Sequence, residues 1–453
     1  MKQRFLPSLS SVLVPLVGLL FIASGMPAGC GSPASDVQGD AAAVLPDAAL
    51  KPEDAAADAQ TDSPNPHPRP SLASLVANDA VWKPLANGGS CGLREGAVLP
   101  DPFPKRAWES CGQGCRVSEA APPFDIPQFT AAQTAAGEYV GGDAYLLFRH
   151  GSKAGSITRI ERLSDGATVA ATLVRGAQPT CSLTWVGGAA SSLFAFYDRI
   201  TKKVLFGRAA RTPGSPVKWH DSWLAGTPDV ATQRFIFDDG YGVGTYGGLL
   251  HFPTPAATVE TNLTPGSYLV HGVGGQLLWG YGGAAIHSYT TAGGVVDLIA
   301  LSQPRVPLGA RMSDDRIVWV DAIAAGDLFS DARWHWSPRT TVASGVVIND
   351  GPMVPLRAGL RDMQTFGDWA AADGLFGSAD PSDIRVSVWN IATGQTFVLP
   401  HRPGNRFDRV FAVTPTELVV GERLTSTADP NQLVHLVRIE LAALPQLVAE
   451  WSK

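Results

Sequence analysis

A turn of Gly and Asp that runs straight into an apolar strand recurs along this chain. It limits the fold more than any other feature of the 453 residues. Clear copies are GGDAYLLF from Gly141, DDGYGVGTY from Asp238, GGQLLWGY from Gly274, SDDRIVWV from Ser313 and FGDWAAAD from Phe366. Weaker copies lie around Gly187 (WVGGAASSLFAFY) and Thr416 (VTPTELVVGE). With Asp143, Gly188, Asp239, Gly275, Asp315, Asp368 and Thr416 as markers, successive gaps are 45, 51, 36, 40, 53 and 48 residues. A period of roughly 40 to 50 residues means a supersecondary unit that buries its faces only against its neighbours. Seven units fit the chain, and no apolar pattern of helical period persists for more than a few turns.

A second landmark lies further along most units, where an alternating strand meets a tight turn and returns. IRVSVWNIATGQTFVLP, from Ile384 to Pro400, is the clearest: Ile384, Val386 and Val388 share one face, and Ala392-Thr393-Gly394 makes the turn. Related hairpins begin at Ser156, Ala284 and Ala332. Two hairpins per unit make a four-stranded blade. The pattern resembles the β-propellers of the WD-repeat and TolB-like kind. The expected fold is therefore all-β, a propeller of seven four-stranded blades over residues 130–453, with six or eight blades as the alternatives.

The chain opens with Lys2 and Arg4, then an apolar stretch from Phe5 to Ala23 broken by Pro7 and Pro15, then small residues up to Cys30. That order is a signal peptide's, here residues 1–29. Met26-Pro27-Ala28-Gly29 before Cys30 resemble the lipobox of bacterial lipoproteins, which implies that Cys30 is lipidated and becomes the new N-terminus. Simple secretion with cleavage near Gly25 is the other reading. Gly31 after the cysteine, by resemblance to sorting preferences, favours the outer membrane over other sites in the cell envelope.

Residues 30–70 are Ala, Asp, Pro, Ser and Gln without one aromatic, too little apolar surface to offset the entropy of ordering. The expectation is a disordered tether, similar in composition to those of lipoproteins in myxobacteria and their relatives. It carries −5 and the first four residues +2, so the total of −6 leaves −3 for residues 71–453. Nothing there offers an electrostatic footprint for nucleic acid.

Residues 71–129 fall outside the repeat and hold Cys91, Cys111 and Cys115, with Cys181 further on. Four cysteines in an exported chain point to disulfides rather than a metal, since no His lies at ligand spacing. Three pairings are possible. Cys91 with Cys111 and Cys115 with Cys181 is preferred, because it would staple an irregular segment to the ring.

Chemistry is harder to find. Asp238-Asp239 and Asp314-Asp315 look like paired carboxylates, but both fall in the repeated turn, where Asp bonds its own backbone. Gly242-x-Gly244-x-x-Gly247 has the glycines of a dinucleotide loop without a following helix. The histidines are scattered about one per unit, and neither a zinc spacing nor a serine-hydrolase elbow occurs. No cofactor and no metal are expected.

The tryptophans recur across units and suit packing between blades. Trp334 and Trp336, at i and i+2, share a strand face and make the best candidate for an exposed aromatic stripe. The expected function is a lipid-anchored binding or scaffold module recognising an envelope protein or glycan, with Trp334, Trp336, Asp239, Asp315 and Asp368 as its candidate surface. The alternative is a propeller enzyme, a glycosidase or other hydrolase, acting on extracellular polysaccharide or peptide. Converging carboxylates in a deep pocket would favour it.

Overall fold

The computed structural model describes residues 106–120 and, from 135 onward, the strands with many of their connections, as well as two short strands at Trp82–Pro84 and Gly92–Arg94. Side chains are described for 106–120, 142–146, 159–169 and most of the chain from 278 on. Asp239 and Cys91 lie outside the described residues, as do the side chain of Cys181 and residues 1–81, which include Cys30 and the expected tether.

The described strands form seven mainly antiparallel sheets, each with three or four consecutive strands in chain order at its centre. Sheet 1 holds Ala135–Val140, Asp143–Ser152, Gly155–Arg162 and Thr168–Arg175, and Gly92–Arg94 and Trp82–Pro84 continue its outer edge. Sheets 2, 3 and 4 begin at Cys181–Val186, Gln233–Phe237 and His271–Val273. Sheet 5 is Arg305–Met312, Arg316–Ala325, Leu328–Pro338 and Asn349–Met353. Sheet 6 is Ala358–Phe366, Trp369–Leu375, Ile384–Asn390 and Thr396–Leu399. Sheet 7 starts with Asn405–Val413, Glu417–Leu424 and His435–Glu440.

Period-two alternation gives the central strands two apolar faces, and each face meets a different sheet. Along Arg316–Ala325, Ile317 and Trp319 join Leu278, Ile286 and Ile299 of sheet 4. Val318, Val320 and Ala322 turn the other way, to Leu360, Met363, Ala370 and Trp389 of sheet 6. Ile384, Val386 and Val388 then face Phe407, Val410, Leu418 and Val437 of sheet 7. Sheet 7 packs in turn on Ala144, Leu146 and Leu163 of sheet 1. Meander sheets that stack face to face in chain order from sheet 4 to sheet 7, with the last against the first, make a β-propeller organisation.

Turn chemistry follows the repeat. Asp143, Asp315, Asp368 and Thr416 each stand at the turn between the first two strands of their sheets, while Gly188, Asp239 and Gly275 lie outside the described residues. At the hairpin of sheet 6, Asn390 Oδ1 accepts the Thr393 N–H at 3.0 Å and Gly394 adopts φ +75°, a left-handed conformation that suits glycine.

Two expectations need correction here. Residues 71–129 are not wholly irregular, because Cys115–Glu119 pairs antiparallel with His435–Glu440 and Glu109–Gly112 adds a fifth strand to sheet 7. The last sheet is thus made from both ends of the domain. The preferred disulfide pairing also fails: Cys111 bonds Cys115 across this hairpin, with Cα atoms 5.1 Å apart. The tight turn at Gln113-Gly114 already brings these two within bridging distance. The helix Leu444–Trp451 lies over the same hairpin, where a Cβ on Gly112 would sit 3.4 Å from Leu447 Cδ2.

Candidate binding surface on the first-turn face

Antiparallel order places the first and third turns of every sheet at one end and the second turn, with the link onward, at the other. On the first-turn end of sheets 5 and 6, three residues singled out in the sequence meet at Arg316, a side chain not singled out there. The turn Ser313-Asp314-Asp315-Arg316 is closed by Ser313 N–H to Arg316 O at 2.9 Å, and Ser313 Oγ donates to Asp315 Oδ1 at 2.7 Å. Arg316 donates through Nε and Nη2 to Asp315 Oδ2 at 3.1 and 3.0 Å. The same Nη2 lies 3.1 Å from Asp368 Oδ1, across the sheet boundary. Its guanidinium stands 5.3 Å over the ring of Trp336.

Arg316 is therefore largely covered while its acids are not: the Asp315 and Asp368 side chains are 55% and 54% exposed. Partial burial pushes the Asp315 pKa up, but hydrogen bonds from Ser313 and Arg316 outweigh it and hold the carboxyl below its ordinary range. The acid is fixed, ionised and open to solvent. Arg339 extends the surface toward sheet 4, donating to Ser313 O at 3.2 Å and to Gln276 Oε1 at 3.2 Å.

The expected exposed aromatic stripe is not there. Trp334 and Trp336 do share a strand face, but sheet 6 covers it: Trp334 is fully buried, its ring centroid 5.8 Å from that of Trp389. Gly351 makes room for this contact, since a Cβ there would come within 2.7 Å of Trp389 Cη2. Only Trp336 remains half-buried, beneath Arg316.

Several histidines take part in cross-strand triplets. In sheet 4, His287 stacks on Trp279 with centroids 5.4 Å apart and its Nδ1 lies 2.7 Å from Asp297 Oδ1. In sheet 5, His335 stacks on Trp319 at 5.3 Å and its Nδ1 lies 3.1 Å from Asp350 Oδ1. His335 Nε2 is 3.0 Å from Asp321 Oδ1, at an angle unsuited to a hydrogen bond, and Asp321 is held by Arg305 at 2.7 Å. Burial raises the Asp321 pKa, and His335 and Arg305 more than reverse it.

The most perturbed acid is Asp373, in the middle of the second strand of sheet 6. It is completely buried; its Oδ2 accepts the Val410 N–H at 2.6 Å from sheet 7 and its Oδ1 the Asp362 N–H at 3.1 Å. Burial first, then the nearby Asp362 carboxylate, pushes its pKa up to about 8. No substrate reaches it, so a raised pKa here does not make a catalytic acid. An acid inside the small apolar run Trp369-Ala-Ala-Ala-Asp373-Gly374 is a signal that sequence reading passed over. Among the described residues no three His, Cys, Asp or Glu gather as a metal site, and no helix is long and apolar enough to cross a membrane.

No described protein family and no curated protein matches the chain. Solved structures similar to it include the WD40 domain of SCAP from fission yeast, at 8% identity over 73% of this chain and 98% of that one, with a TM-score of 0.41. The β-propeller domain of the Trilobed protease from Pyrococcus furiosus matches at 10% identity over 68% and 94%, with a TM-score of 0.42. A computationally designed protein, Ika8, matches at 11% over 68% and 96%, with a TM-score of 0.36. Likenesses this distant say nothing about function.

Proposed function

We propose that this protein is an exported, lipid-anchored binding module: a seven-bladed β-propeller, one blade per sheet, tethered through residues 30–70 and a lipid on Cys30. It recognises an envelope protein or glycan through the first-turn face of sheets 5 and 6. The observation that carries this reading is the convergence of Asp315, Asp368 and Trp336 on Arg316. The arrangement fixes two solvent-facing carboxylates beside an aromatic edge, acceptors suited to hydroxyl or ammonium donors. A glycosidase instead needs one carboxyl kept protonated within reach of substrate. Asp315 is held ionised, and the acid with a raised pKa, Asp373, is sealed in the core.

Photocrosslinking in intact cells tests the reading, with the reactive group at Asp314 in the exposed turn or at Val398 on the outer strand of sheet 6. A discrete adduct from position 314 that disappears in the D315N/D368N double variant supports it. Equal adducts from both positions would contradict it. Fatty-acid labelling that survives Cys30→Ala would end the lipid-anchor part.

A further inference from the structure

A second surface, independent of the turn face, follows from an irregularity that repeats. The first strands of sheets 5, 6 and 7 pack side by side, and each carries a one-residue bulge at the same place, with a second at Gly359 in sheet 6 and at Phe411 in sheet 7. Pairing skips from Pro307 to Gly309, from Leu360 to Asp362 and from Phe407 to Arg409, so Leu308, Arg361 and Asp408 are the extra residues. Each lies opposite the step that begins five residues after the markers Asp315, Asp368 and Thr416. Bulges re-aim side chains and are frequent beside functional sites.

The three bulge residues have different fates. Leu308 is buried in the core between sheets 5 and 6. Asp408 is buried and paired with Arg423, and its Oδ2 lies 3.7 Å from Arg409 Nε. Arg361 is exposed; its Nη1 donates to the backbone carbonyl of Asp408 at 3.3 Å, and it has no carboxylate partner among the described residues. Nearby acids are already engaged: Asp362 accepts from Arg311 Nη2 at 2.8 Å.

We propose that Arg361, with Arg409 beside it, forms a binding site for an oxyanion, a phosphate or a carboxylate borne by a larger ligand. The local charge supports this. Asp362 is engaged by Arg311 and Asp408 by Arg423, and burial raises the pKa of the third acid, Asp373, so among the described residues no carboxylate answers Arg361. That positive charge stands out against a body whose net charge is −3 for residues 71–453. An arginine fork re-aimed by a bulge and left without a carboxylate suits bidentate capture of an oxyanion.

Calorimetric titration of the full chain with inorganic phosphate and, separately, with a galacturonate trimer tests the site. Binding of either probe, weakened about tenfold by Arg361→Gln, is expected, since a hydrogen bond to a charged group is being removed. Arg333→Gln, on the third strand of sheet 5 and paired with Asp331, should leave affinity unchanged. Which probe binds tells phosphoryl from carboxylate ligands. In the wild type alone, the binding anion should slow phenylglyoxal labelling of Arg361. No binding by either anion, equal affinity in R361Q, or undiminished labelling of Arg361 at saturating anion overturns the proposal.

Discussion

Two sheet boundaries of the same molecule share an apolar core and differ in what is buried with it. Between sheets 5 and 6 the gap is filled by indoles, Trp334 against Trp389, with Gly351 cleared to admit them. Between sheets 7 and 1 buried charge is added to the apolar cluster of Ala144, Leu146, Leu163 and Phe411. Arg106 holds Glu161 with contacts of 2.7 and 3.0 Å, and Arg159 reaches the same carboxylate at 2.6 Å, all three nearly inaccessible to solvent. Arg438 bonds Glu417 at 2.6 Å and the carbonyl of Leu163 in sheet 1 at 3.2 Å, beneath the ring of Trp108. Sheets 5 and 6 are joined by continuous chain; large rings fill the middle of their boundary, and its ion pairs, Arg316–Asp368 and Arg311–Asp362, are only partly buried. Sheets 7 and 1 are joined across the ends of the domain, with a hairpin arriving from residue 109. There the geometry of guanidinium and carboxylate fixes a register that apolar contacts leave open.

The contrast makes graded predictions. Trp334→Ala should have the largest effect, a loss of about 3–5 kcal/mol in thermal or urea unfolding, because a fully buried ring leaves a cavity that Gly351 does not fill. Arg438→Met should cost less, about 1.5–3 kcal/mol, since charge-assisted hydrogen bonds are lost while Arg116 still pairs Glu417 at 2.6 Å.

Two buried acids should also respond to pH in opposite directions. Burial raises the Glu161 pKa, but Arg159 and Arg106 together pull it below its ordinary value. Its contribution is present above the unfolded pKa, about 4.3, and is lost as pH falls through the lower folded value. Asp373, between sheets 6 and 7, is raised instead. Its contribution is full below about 3.9 and is lost as pH rises through about 8. Unfolding free energy measured from pH 3 to 9 should fall at both ends, and Asp373→Asn should flatten the alkaline limb alone. An unchanged alkaline slope would remove Asp373 from the account. The smallest stability effect belongs to Asp368→Asn, below about 1 kcal/mol, because that ion pair is half exposed.

Legibility in the sequence followed the same division. Period-two alternation correctly put Trp334 and Trp336 on one face and His335 on the other. What alternation omits is that stacked sheets bury both faces, so an apolar stripe next to polar neighbours was read as a surface. The turns were readable because Gly394 and the repeated Asp residues act locally. The hairpin Glu109–Glu119 was not, since its partner strand lies more than 300 residues away and its own residues carry no repeat. The preferred disulfide failed for the same reason: it assumed a segment outside the fold that had to be stapled to it. At the candidate surface, Asp315 and Asp368 were found as turn residues and Trp336 as an aromatic, but their meeting at Arg316 depends on two sheets being neighbours.

Fastening by charge where residues 106–120 meet the last strand is the central claim, and hydrogen exchange in Glu161→Gln tests it most directly. Removing that carboxylate charge leaves Arg106 and Arg159 without their common partner. Amides of residues 109–119 and 435–440 should lose protection first, while 332–338 and 384–390 keep theirs. Uniform loss of protection, or opening that begins at the tryptophan boundary of sheets 5 and 6, would contradict it.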